Sequence, residues 1–521
     1  MMIKGLIKKG EYYDSVTLMS AVKQLNTLNG VRDSAIVMGT KENRSILDAS
    51  GLLLDEFQLS SDNDLLIVVK TDTAGEAEQA LSGVGTVLQS VRRRVQPGSS
   101  PLPRSLPQAQ KILPGANLAL ISVAGRYAGD VAMNALEHGL HVMLFSDNVS
   151  LEQEVALKQY AIEHQLLVMG PDCGTAIING VPLAFANVVT RGDIGIVAAA
   201  GTGLQEVSCL ISRGGCGVSQ ALGTGGRDVK KEVGGLMFIK SMQLLAQDPK
   251  TKILLLISKP PHPEVLENIG KLAKKIPKPV IGAFLGADHE TMKNHGMHPA
   301  GTLEEAAALA VILSSGGRAE EVKTHLEKEY ELLQMSAKQE AGKLHKPQKY
   351  IRGLFSGGTF CYEAQLLLKD LKEPIFSNAP TGISAKLVNS LKSQKHTLID
   401  LGEDEFTVGR PHPMIDYSLR NKRIIEEAAD PETAVILLDV VLGYGSNPEP
   451  LKDILPSIIQ AQKSARQRNR SIVIVCSVTG TDADPQNRIL VVKGLEQAGV
   501  IVMNSNAAAG LLAGRIIEEI E

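Results

Sequence analysis

The sequence predicts an α/β protein with several parallel-sheet domains, two of which are copies of one another. Three observations carry this prediction: a duplicated stretch, strand-sized apolar runs that alternate with amphipathic helices, and glycine-rich turns at strand ends. The clearest echo pairs Asp248-Pro249-Lys250-Thr251, before the apolar run 253–257, with Asp430-Pro431-Glu432-Thr433, before the apolar run 435–438.

Two further junctions repeat in the same order on either side of that echo. Upstream, one apolar run leads into Ala200-Gly201-Thr202-Gly203 and another into Ser356-Gly357-Gly358-Thr359. Downstream, each copy has a strand that ends in a glycine turn, Gly286-Ala287-Asp288 and Gly480-Thr481-Asp482. The second copy carries a longer insertion between its first and third junctions. Three junctions in one order predict a duplicated domain whose glycine turns open helices.

The composition is that of an ordinary soluble protein. The 521 residues are 44% hydrophobic and 21% charged, with a formal charge of −3, so no general basic surface for nucleic acid is expected. Trp is absent, and the longest apolar stretches are strand-sized. The N-terminus lacks a signal-peptide core, and the five cysteines have no metal-ligand spacing. We therefore expect a cytoplasmic protein with free thiols and no membrane segment.

The order of strands, helices and linkers divides the chain into five segments. Residues 1–94 form a small α/β domain, and the Pro- and Gly-rich stretch 97–107 reads as a linker. Strand, helix, strand in 109–190 predicts a Rossmann-like parallel sheet with ligands at the carboxyl ends of its strands, and the family resemblance given below implies that this domain is of the CoA-binding type. The remaining segments are the two flavodoxin-like domains and a charged helical connector between them, at 191–316, 348–521 and 317–347 respectively.

The glycine turns are the first candidates for an anion site. A turn between a strand and a helix leaves backbone N–H groups unpaired, and the helix dipole adds positive charge there. We predict that Gly201, Thr202 and Gly203 contact phosphate, and that the equivalent turn of the second copy shares the same anion. The further phosphate-contacting residues predicted here are Gly225, Gly226, Gly357, Gly358, Thr359 and Lys259.

Three further residues are candidates for catalysis. Arg227 and Arg410 hold corresponding places in the two copies, and each guanidinium could grip a phosphate or carboxylate through two hydrogen bonds. The alternative for Arg227 is a salt bridge with Asp228 or a neighbouring acid. His412, between two prolines, could protonate a leaving oxygen or could cap the following helix.

Acidic residues near strand ends leave a magnesium site open. Asp400, Asp404 and Asp439 could hold Mg²⁺ through one or two carboxylates, but acids in such loops commonly cap helices. The cysteines Cys173 and Cys361 lie beside glycine turns, and we expect them to be buried packing residues.

Several motifs resemble the succinyl-CoA synthetases and the wider NDP-forming acyl-CoA synthetases. They are Met169-Gly170-Pro171-Asp172-Cys173-Gly174-Thr175, the stretch 195–202, and Gly223-Thr224-Gly225-Gly226-Arg227-Asp228. In that family a histidine carries a phosphoryl group between two helix N-termini, and an acyl phosphate precedes transfer to CoA. The resemblance implies that the two glycine turns occupy those places. The comparable segment here, 294–300, is shorter, so His295 or His298 is only a candidate carrier.

Almost the whole chain resembles the FdrA proteins, on motifs such as Phe145-Ser146-Asp147-Asn148-Val149 and Val408-Gly409-Arg410-Pro411-His412-Pro413. This resemblance implies a subunit of oxamate carbamoyltransferase, which converts oxalurate and phosphate to oxamate and carbamoyl phosphate in allantoin and purine catabolism. Companion subunits and an oligomer are expected with it. The alternatives are an acyl-CoA synthetase, for which CoA is a ligand, and a non-catalytic scaffold. No counterpart of the family's glycine-rich CoA turn is evident in 1–94, nor is an ATP-grasp domain.

Overall fold

The computed structural model describes residues 2–11, 13, 15–94, 103, 105–407 and 410–520. The chain divides into two compact units. Unit 1 comprises Met1–Asn117, Ser122–Ala128 and Glu403–His412; unit 2 comprises Leu118–Ile121, Gly129–Gly402 and Pro413–Glu521. None of the helices in these described ranges combines the length and apolar character that crossing a membrane requires.

Unit 1 is built on a three-stranded antiparallel sheet in the order β1-β3-β2. Alternate residues of the strands face two apolar layers: Ile36 and Ile67 pack with the first and third helices, while Val37 and Val68 pack with Leu47 and Phe57. The elements are β1 (Met2–Lys8), α1 (Ser15–Leu25), β2 (Val31–Met38), α2 (Lys41–Ala49), a 3₁₀ helix (Asp55–Leu59), β3 (Leu65–Thr71), α3 (Ala74–Arg94) and α4 (Leu106–Ile112).

The predicted linker 97–107 lies largely outside the described residues. Its last residue, Pro107, is instead in the first turn of α4, where a missing N–H costs nothing because that amide has no helical partner.

A parallel three-stranded sheet in the order β4-β5-β6 opens unit 2. Sequential parallel strands joined by helices are the arrangement of half a Rossmann fold, as predicted. The elements are β4 (Leu118–Ile121), α5 (Gly125–Glu137), β5 (His141–Leu144), α6 (Leu151–Glu163) and β6 (Val168–Met169).

The first copy forms a seven-stranded sheet in the order β13-β12-β11-β9-β10-β7-β8. Its five parallel strands follow the flavodoxin order 2-1-3-4-5, and an antiparallel hairpin, β7-β8, extends one edge. The elements are β7 (Thr175–Ile178), β8 (Val181–Ala184), β9 (Arg191–Ala198), α7 (Gly201–Arg213), β10 (Val218–Gly223), α8 (Leu236–Gln247), β11 (Ile253–Ser258), α9 (Pro263–Ala273), β12 (Val280–Phe284), α10 (His289–Asn294), β13 (His298–Pro299) and α11 (Leu303–Ser314).

The second copy forms another seven-stranded sheet, β16-β15-β17-β14-β18-β19-β20, with the same 2-1-3-4-5 order after the inserted β15 and β16. The predicted connector contains a 21-residue helix, α12. The elements are α12 (Glu321–Ala341), β14 (Tyr350–Phe355), α13 (Gly358–Leu367), β15 (Ile375–Ser377), β16 (Ala385–Lys386), β17 (His396–Asp400), α14 (Asp404–Thr407), α15 (Ser418–Ala429), β18 (Thr433–Val441), α16 (Pro450–Gln467), β19 (Val473–Thr479), α17 (Arg488–Gln497), β20 (Ile501–Met503) and α18 (Asn506–Ile520).

The predicted duplication is confirmed element by element, from β9 and β14 to α11 and α18. Asp248 ends α8 and Asp430 ends α15, and each carboxylate accepts a hydrogen bond from the amide two residues later. One apolar cluster runs through both copies and contains Leu204 of α7, Phe360 of α13 and Leu512 of α18. The four helices α7, α11, α13 and α18 therefore pack between the two sheets. The domain limits within this arrangement stay a prediction.

Candidate functional site

The two predicted glycine turns lie at equivalent helix starts. Gly201, Thr202 and Gly203 are the first residues of α7, while Gly357 is the N-cap of α13, and Gly358 and Thr359 follow it. We call residues 201–203 the first turn and residues 357–359 the second turn. Each follows the central strand of its sheet, where α/β proteins bind ligands at the carboxyl edge.

The structure brings the two turns into direct contact. A Cβ at Gly357 would lie 2.7 Å from Cγ2 and 2.8 Å from Oγ1 of Thr202. A Cβ at Gly203 would lie 3.1 Å from Cγ2 of Thr359. The two helices can approach this closely because each places a glycine against the threonine of the other.

Five backbone amides of the two turns have no acceptor among the residues that the structure describes. Neither N-cap residue, Ala200 or Gly357, provides a side-chain cap. Within the described part of the chain, no residue accepts a hydrogen bond from the amides at 201, 202, 203, 358 or 359. Unpaired amides at a helix start carry partial positive charge, so this pair of turns suits an anion.

Lys259 brings a cation to the second turn's helix. It follows β11 of the first copy, and its Nζ lies 5.0 Å from the ring centroid of Tyr362 on α13. Lys259 is exposed, whereas Thr202 and Thr359 are buried.

Two buried glutamates that the sequence reasoning missed join the copies reciprocally. Glu206 of α7 accepts a hydrogen bond from the amide of Asn506, the first residue of α18, at 2.9 Å. Glu363 of α13 accepts one from the amide of Leu303, the first residue of α11, at 2.7 Å. Each copy's first helix thus caps the other copy's last helix. Both glutamates follow the threonine of their turn by four residues, a signal that aligning the copies would have shown.

The same glutamates share further partners. Glu206 accepts a hydrogen bond from the Thr479 hydroxyl, and Glu363 accepts one from Nδ2 of Asn506 at 2.7 Å. Burial raises the pKa of Glu363 to about 7, and the bonds from Asn506 and Leu303 offset this only in part. Burial also raises the pKa of Glu206.

Asp439 binds the residue that precedes the second turn. Its Oδ1 accepts a hydrogen bond from the amide of Ser356 at 2.7 Å, and its Oδ2 accepts one from the Ser356 hydroxyl. Nη1 of buried Arg420 donates to the Asp439 carbonyl at 2.6 Å, and the guanidinium lies over the Tyr417 ring. Burial raises the pKa of Asp439, and Arg420 opposes that shift. Asp439 therefore positions the residue that precedes Gly357.

The three aspartates predicted as possible magnesium ligands lie in different settings. Asp400 accepts a hydrogen bond from the Gly402 amide at 2.9 Å, and its Oδ2 would lie 2.5 Å from a Cβ at Gly358. Asp404 begins α14 in unit 1, and Asp439 binds Ser356. Across the described ranges, no three or more His, Cys, Asp or Glu residues form a group that could hold a metal ion.

Arg227 adopts the alternative that the sequence left open, an ion pair. Its Nε lies 2.8 Å from Oε2 of Glu154, and its Nη2 donates to the carbonyl of Val149 at 2.8 Å. Glu154 also pairs with Lys158, whose Nζ contacts Asp228 at 2.8 Å. Two nitrogens of Arg227 are therefore already bound to Glu154 and Val149. A substrate anion would have to displace these contacts or use the remaining nitrogen, so the predicted catalytic role stays a prediction.

Arg410 and His412 belong to unit 1, whereas the two turns belong to unit 2. Nη2 of Arg410 lies 3.6 Å from Oδ2 of Asp33 in an ion pair. Burial lowers the pKa of His412 to about 4. Gly409, which precedes Arg410, lies outside the described residues. The roles of this arginine and histidine stay predictions.

The remaining candidates lie around the loops of the first copy. Gly225 has a φ of +83° and packs against the carbonyl of Pro171, while Gly226 lies near the carbonyl of Ala199. His295 packs against Gly270 of α9, with Nε2 3.8 Å from Oε2 of Glu267. His298 is in β13, opposite Ile281. Both histidines therefore have packing or pairing contacts within the first copy, and a role as phosphoryl carrier stays a prediction.

The cysteines beside the turns are buried, as predicted. Cys173 contacts the carbonyls of Thr175 and Gly223, and burial raises its pKa to about 12. Burial raises the pKa of Cys361 as well. Neither thiol is prepared to form a thiolate near neutral pH.

Two family models match parts of the chain. A CoA-ligase model matches residues 354–516, which cover most of the second copy. A model described as AllF, heavy metal-associated domain, matches residues 1–101. Residues 1–101 contain neither His nor Cys, the ligands that soft heavy metals prefer. Without a Cys or His ligand, these residues do not fit a heavy-metal site built on thiolates or imidazoles.

Relatives and solved structures extend these matches. Succinate–CoA ligase [ADP-forming] subunit alpha of Aquifex aeolicus is 28% identical over 178 residues, 33% of this chain and 57% of that protein. The crystal structure of PH0766 from Pyrococcus horikoshii OT3 covers 82% of this chain and 89% of that chain, with 15% identity and a TM-score of 0.35. That score is too low to establish a common overall arrangement.

One relative matches from end to end. The uncharacterized protein YahF of Escherichia coli (strain K12) is 42% identical over 518 residues, 99% of this chain and 99% of that protein. Together with the CoA-ligase match and the paired 2-1-3-4-5 sheets, this identity gives the assignment. The chain belongs to the same family as YahF and has a succinyl-CoA synthetase-like architecture.

Proposed function

We propose that this chain is the acyl-phosphate-handling subunit of an enzyme with succinyl-CoA synthetase architecture. The observation that carries the proposal is the contact between the two turns, with a Gly357 Cβ position only 2.7 Å from the Thr202 side chain. Two helix starts with unpaired amides favour one shared anion over two separate ones.

The chemistry of an acyl phosphate fits these turns. Negative charge grows on the phosphate oxygens and on the acyl oxygen when such a bond forms or breaks, and fixed amide dipoles stabilise it without reorganising. Lys259, from the first copy, adds a full positive charge beside α13 of the second copy. A ligand at the turns would therefore meet groups from both copies.

An acyl-CoA synthetase reaction is the first candidate. It is supported by the CoA-ligase match at residues 354–516 and by the similarity to a succinate–CoA ligase alpha subunit. In this reaction the acyl group leaves phosphate for the thiol of CoA. The chain spans 57% of that relative, so the assignment of a full reaction to this chain is part of the proposal.

Carbamoyl transfer is the second candidate, as in oxamate carbamoyltransferase. It is supported by the AllF match at residues 1–101 and by the resemblance to FdrA proteins. A phosphate oxygen would attack the carbamoyl carbon of oxalurate, and the C–N bond to oxamate would break as that nitrogen takes a proton. Phosphate and carbamoyl phosphate would both bind at the turns, so this candidate uses the same site as the first.

Calorimetric titration of the full chain with inorganic phosphate, carbamoyl phosphate and CoA tests the proposal. We expect phosphate binding, and we expect Lys259→Met to weaken it by roughly three- to tenfold, since one partly screened charge contributes about 1 kcal/mol. Lys250→Met, an exposed lysine of the same copy, is the matched control.

The three ligands separate the candidates. Binding of CoA favours the synthetase, while carbamoyl phosphate binding without CoA binding favours carbamoyl transfer. If neither phosphate nor carbamoyl phosphate binds, the acyl-phosphate proposal is wrong and a scaffold role takes its place.

A further inference from the structure

The second copy carries an insertion that the first copy lacks. Residues 214–217 join α7 to β10, whereas residues 368–395 join α13 to β17. We call residues 378–395 the second-copy insertion. It contains β16, the outermost strand of the sheet, which pairs only with β15 among the described strands.

Three large apolar side chains of the insertion face solvent. Ile383 is 44% exposed, Leu391 is 60% exposed and Val388 is 95% exposed. Single exposed apolar residues are ordinary on protein surfaces, but three within nine residues beside a strand edge make this segment a candidate interaction surface.

Buried groups hold this insertion in place. Arg423, which is 2% exposed, donates to the carbonyl of Ser390 at 2.7 Å and to the hydroxyl of Ser393 at 3.1 Å. Gln365 of α13 accepts a hydrogen bond from the amide of Thr381 at 3.1 Å and donates to the carbonyl of Ala379. The exposed apolar side chains are therefore presented by a fixed backbone, which lowers the entropic cost of binding a partner.

The positive charge of the second-copy insertion favours a partner with acidic side chains. Residues 374–399 contain three lysines and neither Asp nor Glu. Lys395 is paired with Glu373, but Lys386 and Lys392 form no ion pair with any described residue. A second copy that paired its β16 edge about a two-fold axis would bring like charges together, which destabilises strand pairing.

We propose that the second-copy insertion is a docking surface for another protein that offers an extended segment with alternating acidic and apolar residues. The segment adds a strand beside β16, its apolar side chains cover Val388 and Leu391, and its carboxylates pair with Lys386 and Lys392. This inference is independent of the acyl-phosphate proposal, because none of these residues contacts the two turns in the hydrogen bonds and ion pairs described above.

A fluorescein-labelled peptide of alternating Glu and Val is the probe, with a Lys-Val peptide of the same length as its counterpart. We expect the acidic peptide to bind the full chain and to bind more weakly as salt is raised. The double substitution Val388→Asp and Leu391→Asp should weaken binding by at least about tenfold, since central apolar contacts dominate such interfaces. Leu59→Asp, at a residue 92% exposed in unit 1, is the control.

Sedimentation of the wild-type chain and the double variant provides the second arm. A dimer that the double substitution dissociates would identify a second copy as the occupant and overturn the proposal. Equal binding of both peptides, equal binding by the double variant, or no binding at all would also overturn it. An unchanged melting temperature of the double variant shows that any loss comes from the surface rather than from unfolding.

Discussion

The two copies hold the same turn by different means. In the first copy, Ala199 precedes the turn and its amide donates to the carbonyl of Ile257 at 2.9 Å. In the second copy, Ser356 takes the corresponding place, and its amide and hydroxyl both bind the carboxylate of Asp439. Asp439 stands where Ile257 stands in the first copy, counting from the Asp-Pro echo.

The difference separates what the duplication preserved from what changed. Helix starts, strand order and the reciprocal Glu206 and Glu363 caps recur in both copies, so these features are needed by the arrangement of two turns. The residue before the turn is held by a backbone hydrogen bond to Ile257 in the first copy and by the buried carboxylate of Asp439 in the second. A buried ion pair adds little net stability, but it makes the loss of either partner costly.

Removing the charge of Asp439 should produce the largest difference in stability between equivalent substitutions in the two copies. Asp439→Asn keeps the size of the side chain but leaves buried Arg420 without a counter-charge, so we expect a loss on the order of 3–5 kcal/mol. Ile257→Val at the equivalent position should cost only about 0.5–1.5 kcal/mol. Urea unfolding followed by circular dichroism measures both.

A rescue variant tests the cause of that loss. Adding Arg420→Met to Asp439→Asn removes the unpaired charge and should recover part of the stability. If Asp439→Asn costs no more than Ile257→Val, the ionic brace does not support the second turn.

Glycine substitutions at the turns give the next largest effect. Gly357→Ala places a Cβ 2.7 Å from Thr202, so the two helices must separate, at an expected cost of about 1–3 kcal/mol. Gly201→Ala is the matched control, since its nearest neighbour would be Thr175 Oγ1 at 3.9 Å. Thermal unfolding compares them, and equal melting temperatures would mean that the turns tolerate separation.

The sequence was sufficient for the duplicated fold because its signals are local. Glycine turns end strands, and the Asp-Pro echo encodes a helix end, as Asp248 and Asp430 show. Those signals, together with the family resemblance, predicted that the two turns converge on one anion; the structure brings the turns together, and the anion stays a prediction.

The partners of individual side chains were beyond the sequence because they come from distant segments. Glu206 binds the amide of a residue 300 positions away, and nothing in its helix marks it as buried. Arg227 and Arg410 correspond in sequence, yet Arg227 pairs with Glu154 within unit 2 and Arg410 pairs with Asp33 within unit 1. The sequence of a repeat can indicate which positions are equivalent, but the ion pair at each position depends on the residues that pack beside it.

The smallest expected effect is a difference between Glu363 and Glu206 in how each makes stability depend on pH. The folded chain holds the Glu363 proton with a pKa of about 7, above the ordinary value of 4.5. Between these pH values the folded state binds more protons than the unfolded state, so this group's contribution to stability falls as pH rises. It is fully present below about pH 4.5 and is lost as pH passes 7.

Glu363→Gln should therefore flatten the decline in stability between about pH 4.5 and 7, because an amide does not titrate. Glu206→Gln should flatten it less, since the rise that burial causes in the pKa of Glu206 is opposed by hydrogen bonds from Thr479 and Asn506 and by the charges of Arg213 and Arg488. Each variant also replaces one carboxyl oxygen by an NH₂ group, which costs about 1 kcal/mol where the carboxyl is ionised and both of its oxygens accept hydrogen bonds. Urea midpoints across this pH range distinguish slope from offset. Identical slopes in the wild type and Glu363→Gln would mean that the Glu363 carboxyl stays ionised across this pH range, contrary to the prediction.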